Sequence, residues 1–197
     1  MISRASGDGR VCALTFDDGP NGSDTDRLLD FLATEGIRAV FCLVGSAVRK
    51  PGSARLVRRM VADGHLLANH SMVHADMSEW PEARVESDLR EAMAAIRDAL
   101  DDQRYPIPYF RAPHGKWGST ERVAARLGME SLAIGSTIED WLTQDVPTLR
   151  TRLRAAIRPG ELVLAHDGGG ARSGTVDAVT SVVRERLREG WHFTLPH

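Results

Sequence analysis

A chain of 197 residues, 42% hydrophobic and 26% charged, has the balance of one globular domain able to bury a sizeable core. A formal net charge of −2 and a pI near 6.4 supply no basic field to draw nucleic acid or an anionic membrane. Cys12 and Cys42 lack CxxC spacing and are too few for a disulfide framework, and no run is long and apolar enough to span a membrane.

Residues 1–10 are polar and lack the basic-then-apolar order of an export signal, so the expectation is a soluble, cytoplasmic chain. From residue 11 onward, short apolar runs alternate with longer segments whose apolar residues recur every three or four positions. Strands are expected at 11–16, 39–44, 66–69, 109–112, 130–134, 162–165 and 192–195. Helices are expected at 24–35, 54–63, 82–100, 120–127, 148–157 and 175–189. Ser23, Ser53 and Ser119 stand at N-cap positions, while Gly36, Gly64, Gly128 and Gly190 follow the last helical turns. About seven βα units without a linker or a composition break predict a single domain over residues 1–197. Its class is α/β, an incomplete (β/α) barrel of about seven parallel strands, with an open doubly wound sheet as the alternative. Both architectures put function just beyond the carboxyl ends of the strands.

The residues at those strand ends are chemically pointed. The first strand runs into Thr15, Phe16, Asp17, Asp18, Gly19 and Pro20. Adjacent carboxylates at a strand end face different ways, so one can bind a metal while the other faces a reacting water; read alone, Asp18, Gly19 and Pro20 also suit a plain turn. The third strand continues into His70 and His74, a spacing of four that puts two imidazoles on one side of a helical turn. One carboxylate with two histidines leaves positions open for water and substrate, the mark of a catalytic metal site. His65, just upstream, reads as incidental to it. Tyr109 to Gly115 contains Arg111, able to grip a carboxylate bidentately, before a Pro and Gly turn that can aim a backbone N–H at developing negative charge. Glu139, Asp140 and Trp141 offer a carboxylate beside an aromatic; read alone they are a satisfied acid and a core indole. The penultimate strand delivers His166, able to protonate a leaving amine, and Asp167, able to orient it. Gly168 to Gly170 lack the Lys and Ser or Thr of a phosphate loop and read as an open, permissive loop.

From Thr15 to His166 these motifs, in this order, resemble the polysaccharide deacetylase family, also called the NodB homology domain or carbohydrate esterase family 4. The resemblance implies a deformed β/α barrel and hydrolysis of N-acetyl groups on amino sugars of chito-oligosaccharide, peptidoglycan or related glycans. It implies that Asp18, His70 and His74 hold a divalent metal, zinc first, with cobalt or manganese as alternatives. It further implies that Asp17 is the general base braced by Arg111, that His166 is the general acid tuned by Asp140, and that Trp141 and Leu164 line a pocket for the acetyl methyl. Tyr109 and His114, assigned to substrate binding, depart from the arginine and tyrosine of many members, and Thr137 stands where many carry an aspartate. The backbone N–H of residue 114 survives either change. Two other readings stay open: deacylation of a small intracellular metabolite or an O-acetyl ester, and a glycan-binding domain without catalysis. The complete set of Asp17, Asp18, His70, His74 and His166 argues against the last.

Overall fold

In the computed structural model, which describes residues 1–197, apolar alternation along each strand sorts side chains between two environments. The elements are β1 (Val11–Asp17), α1 (Gly22–Glu35), β2 (Val40–Leu43), a single-turn α2 (Gly45–Val48), α3 (Ser53–Ala62), β3 (Leu66–Asn69) and α4 (Glu82–Leu100). They continue with β4 (Tyr109–Phe110), α5 (Thr120–Arg126), β5 (Glu130–Ser131), β6 (Ser136–Thr137), α6 (Val146–Ala156), β7 (Leu162–His166), α7 (Ser173–Arg188) and β8 (His192–Phe193). In β1, Cys12, Leu14 and Phe16 face the main core beneath the helices, whereas Ala13 joins Val40, Cys42, Ala68, Leu132 and Leu162 inside the curl of the sheet. Small residues on the inner face leave room there for larger polar groups higher up.

The strand order is β5-β4-β3-β2-β1-β7-β6, every pairing is parallel, and β8 adds to the start of β1. The fold is thus an incomplete α/β barrel: β5 and β6 end the path, and the chain passes between them with no helix. The N-terminal segment, polar and unassigned by its sequence, extends the β5 edge. Ile2 donates to the Ser131 carbonyl and accepts from the Ala133 N–H, both at 2.8 Å, which removes an exposed ladder.

Several boundaries differ from expectation. β6 is new, because two residues such as Ser136 and Thr137 carry no apolar run, and the strand expected at 130–134 ends at Ser131. Asn21, not Ser23, precedes α1, and Ser53 lies inside α3 after Gly52. Ser119 does precede α5 but makes no capping bond, while Asp145 caps α6 by accepting the Thr148 N–H at 2.9 Å. Gly36, Gly64, Gly128 and Gly190 all adopt the left-handed backbone that ends a helix.

His65 lies away from the strand-end motifs and is part of the packing. Its Nδ1 accepts the Ala39 N–H at 3.0 Å, and its ring meets Phe41 edge-on with centroids 5.1 Å apart. Burial pushes its pKa down to about 4 from 6.5. The native state therefore keeps it neutral, and its contribution is complete above the unfolded value and lost as pH falls from 6.5 toward 4, an effect on the order of 3 kcal/mol. His65→Gln, which can accept the same N–H without titrating, is expected to flatten this part of the stability curve. Denaturant unfolding at several pH values across that window checks it, and parallel curves for the two proteins would refute the assignment.

Candidate metal centre and active site

The inward parity that starts at Ala13 continues through Thr15 to Asp17 on β1, and on neighbouring strands it reaches His70, Arg111 and His166. Arg111 is wholly buried, and its Nη1 donates to Asp17 Oδ1 at 2.6 Å and to Thr15 Oγ1 at 2.9 Å. Its Nη2 donates to the Ala133 carbonyl at 2.9 Å, so the grip on Asp17 is through one nitrogen rather than bidentate. Burial alone would raise the Asp17 pKa, but the charges of Arg111, His70 and His166 outweigh it and hold the carboxyl below its usual range. Asp17 Oδ2 remains on the His70 side, 3.7 Å from Nε2.

Asp18 turns away from Asp17 through a left-handed backbone, φ 72°. Its Oδ1 lies 3.4 Å from His70 Nε2 and 3.1 Å from His74 Nε2, and the donor atoms of all three lie within 4.8 Å of one another. The two histidines are presented by a bend rather than a helical turn: Ser71 and His74 both have positive φ. Asn69 Oδ1 accepts the Ser71 N–H at 2.8 Å, and Ser71 Oγ accepts the His74 N–H at 2.9 Å.

The three residues fit a divalent metal on two counts. Asp18 Oδ1 is buried without a hydrogen-bond partner, and His70 Nδ1 lies 2.8 Å from the Arg111 carbonyl, so that donation there leaves the Nε2 lone pair facing Asp18. Donors bound tetrahedrally at about 2.0–2.1 Å stand roughly 3.3 Å apart, which the observed separations approach. His114 extends the row: its ring lies edge-on to His74 with centroids 4.5 Å apart.

On the other flank, His166 Nδ1 lies 2.7 Å from Asp140 Oδ1, and the His166 N–H donates to Asp140 Oδ2 at 2.9 Å. Burial alone would lower the His166 pKa; the hydrogen bond and charge of Asp140, reinforced by Asp17 and Asp18, raise it above its ordinary value. Asp167 does not orient His166. Strand alternation sends it to the opposite face, where its Oδ2 accepts the Thr25 hydroxyl at 2.6 Å and burial lifts its pKa to about 7. The glycine run is open only at its end. A Cβ on Gly168 would stand 2.1 Å from the Asp18 carbonyl oxygen, and one on Gly169 2.4 Å from Asp18 Oδ2, so these two back the turn at Asp18, whereas Gly170 is exposed with nothing nearer than 4.0 Å to its Cβ position.

A cavity of about 570 Å³ joins these groups, with Asp17, Asp18, His70, His74, His114 and His166 around it and Trp141 and Leu164 among its apolar lining. Trp141 is half exposed and edge-on to His166, not a core indole. Tyr109 does not line the cavity; one inward step before Arg111 on its strand, it packs against the small-residue cluster inside the curl. Thr137, in place of an aspartate, accepts the Glu139 N–H at 3.2 Å and shapes the bend that leads into Asp140. Sequence reasoning missed Ile134 and Arg172 on the cavity wall, and Thr175, whose hydroxyl donates to Asp140 Oδ2 at 2.9 Å.

A parallel half-barrel whose rim holds one carboxylate and two imidazoles, between an arginine-braced aspartate and an aspartate-braced histidine, is the arrangement of a hydrolase whose donor set fits a divalent metal. The chain belongs to the polysaccharide deacetylase family, whose model matches residues 4–132. It is 40% identical over 162 residues to a chitooligosaccharide deacetylase of Bradyrhizobium sp. (strain ANU 289), covering 81% of this chain and 71% of the relative. It is 27% identical over 187 residues to a peptidoglycan-N-acetylglucosamine deacetylase of Bacillus cereus, covering 93% and 85%. Among solved structures, a family 4 acetyl xylan esterase from Clostridium thermocellum in complex with a cobalt ion superposes with a TM-score of 0.82 at 26% identity, over 94% of this chain and 87% of that one.

The backing role of Gly169 has a measurable consequence. Gly169→Ala forces a methyl against Asp18 Oδ2 and is expected to weaken metal binding by roughly 10- to 100-fold, the usual effect of disturbing the support of a ligand. Gly128→Ala carries a comparable backbone strain, φ 81°, with nothing near its Cβ, and serves as the control. Chelator competition on both variants checks this; equal affinities would remove the backing role.

Proposed function

We propose that this protein removes the acetyl group from N-acetylated sugars of chitooligosaccharide or peptidoglycan type, releasing acetate and leaving a free amine. The observation that carries the reading is a single cavity with an ionised aspartate and a histidine of raised pKa on either side of a three-donor metal site. Asp18, His70 and His74 would hold the ion, zinc first, with cobalt and manganese as alternatives. When bound, a divalent ion supplies Lewis acidity toward the acetyl oxygen and lowers the pKa of water.

The side chains do the rest. With Oδ1 fixed by Arg111, Asp17 takes a proton from the attacking water at Oδ2. The N–H of His114, in a left-handed turn at the cavity edge, donates to the acetyl oxygen as negative charge develops there. His166, its Nδ1 held by Asp140, passes a proton from Nε2 to the sugar nitrogen as the C–N bond breaks. Leu164 and Trp141 enclose the methyl group and exclude water from it.

Steady-state kinetics with a soluble N-acetylated chito-oligosaccharide, an N-acetylated monosaccharide and an O-acetylated xylan separates the substrate classes. Asp17→Asn is expected to keep its metal and lose turnover, whereas His70→Ala loses the metal itself. His166→Ala should cost about 10²- to 10⁴-fold on the amide and less on the ester, whose oxygen leaves with less help. Near-wild-type turnover by Asp17→Asn would remove the base from this scheme, and preferential cleavage of the ester would replace the N-acetyl reading.

A further inference from the structure

Arg172 is a buried cation with no carboxylate against its guanidinium. Only 6% of it is exposed, and its donors go to backbone: Nε to the Gly168 carbonyl at 2.6 Å, Nη1 to the Asp140 carbonyl at 2.9 Å and Nη2 to the Gly169 carbonyl at 3.4 Å. Its own N–H donates to Asp24 Oδ2 at 2.8 Å, which anchors it to the start of α1.

The three carbonyls belong to two different loops. One follows β6 and carries Asp140 and Trp141; the other starts just past His166, the last residue of β7, and backs Asp18. The Asp140–His166 bond joins the first of these loops to the end of β7, and the β6–β7 pairing stops at Thr137 and Leu164, short of both residues. A buried charge without a counter-ion is costly, and the same space filled by an apolar side chain could not tie two strips of backbone together. The planar fork of arginine can, since its donors point in fixed directions. Gln144 adds a second tie, donating to the same Asp140 carbonyl at 2.8 Å.

We infer that Arg172 is a positioning residue for the deacetylation, holding Asp140 and His166 at the separation and orientation in which His166 delivers its proton. The inference rests on the deacetylase reading. It assigns Arg172 to the proton-donating half of the reaction, not to metal binding or to attack by water.

Leaving-group dependence and coupling to His166 separate this role from general structural support. Arg172→Met is expected to lower kcat on an N-acetylated chito-oligosaccharide by about 10- to 100-fold, with KM and bound metal little changed, because a displaced acid approaches the loss of the acid itself. On 4-nitrophenyl acetate, whose leaving group departs without a proton, the loss should stay within about threefold. In a His166→Ala background the same substitution should cost nothing further, since the two act through one step. Arg172→Lys, which keeps the charge and part of the bonding, should recover part of the rate, and it carries the same comparisons if the methionine variant does not fold. Equal losses on both substrates, multiplicative losses with His166→Ala, or an unchanged kcat would overturn the role of Arg172. A wild-type protein that is metal-loaded but inert on every acetylated substrate would instead refute the deacetylase reading.

Discussion

A guanidinium inside the curl of the sheet meets Asp17 at 2.6 Å, and both groups are shut off from solvent. Such a pair loses the hydration of two charges, so it persists only where the remaining donors are satisfied. Thr15 and the Ala133 carbonyl supply that satisfaction here. Ala133 lies on the stretch between β5 and β6, where a closed barrel would have continued its ladder. The incomplete closure of the sheet thus leaves a carbonyl free for the arginine, while Ala13, Cys42 and Ala68 leave the volume. The gap in the sheet and the brace on Asp17 are the same feature seen from two sides. The Arg111 carbonyl also faces His70 Nδ1, so one residue both holds the Asp17 carboxylate ionised and orients the His70 ring.

Strain is concentrated where the chemistry is. Of the six non-glycine residues with positive φ, Asp18, Ser71, His74, His114 and Glu139 sit in the loops around the cavity, and only Asp101 simply ends a helix. Left-handed backbone costs an L-residue roughly 1–2 kcal/mol, so each needs a local reason to stay. Asn69 holds Ser71, Ser71 holds His74, Thr137 holds Glu139, and the close approach of Gly168 and Gly169 leaves the Asp18 turn no room to relax. The donor atoms of Asp18, His70 and His74 are therefore gathered by the chain itself, an arrangement that would need little reorganisation to take a divalent ion.

Period-two alternation and the strand-end rule made Asp17, Asp18, His70, Arg111 and His166 legible, because each lies on or just past a strand with a clear apolar run. The long helix at 82–100 was legible for the corresponding reason at a period of 3.6. Tyr109 was assigned to substrate binding through the family resemblance alone; two residues before Arg111, on β4, it faces the same way but one layer lower, below the cavity. Asp167 was misplaced by the same alternation, which sends neighbours to opposite faces. β6 and the pairing of Ile2 carry no local signature, since two polar residues or one edge residue gain their conformation from partners distant in sequence. Arg172 and Thr175 are silent for a different reason: each is an ordinary residue in composition, and its role consists of bonds to backbone or to Asp140 that only the folded chain brings within reach.

The two halves of the site are held by different means. Asp17 and His166 are directly paired in the parallel register of β1 and β7, so their separation across the sheet is set by the backbone at about 4.8 Å between neighbouring strands. Asp17, the turn at Asp18 and His166 are therefore tied to the most extensively paired strands of the molecule. What the sheet does not set is the rotation of the His166 ring, which depends on Asp140, and Asp140 comes from a loop. Amide cleavage is the reaction most sensitive to that rotation, because an amine leaves poorly unless it is protonated, whereas an ester oxygen departs with less assistance. The Asp140 carboxylate is satisfied by His166 twice and by Thr175, and its carbonyl by Gln144 and Arg172. In the proposed N-deacetylation, that density of bonds around Asp140 would serve the step that most needs a well-aimed His166, protonation of the departing sugar nitrogen.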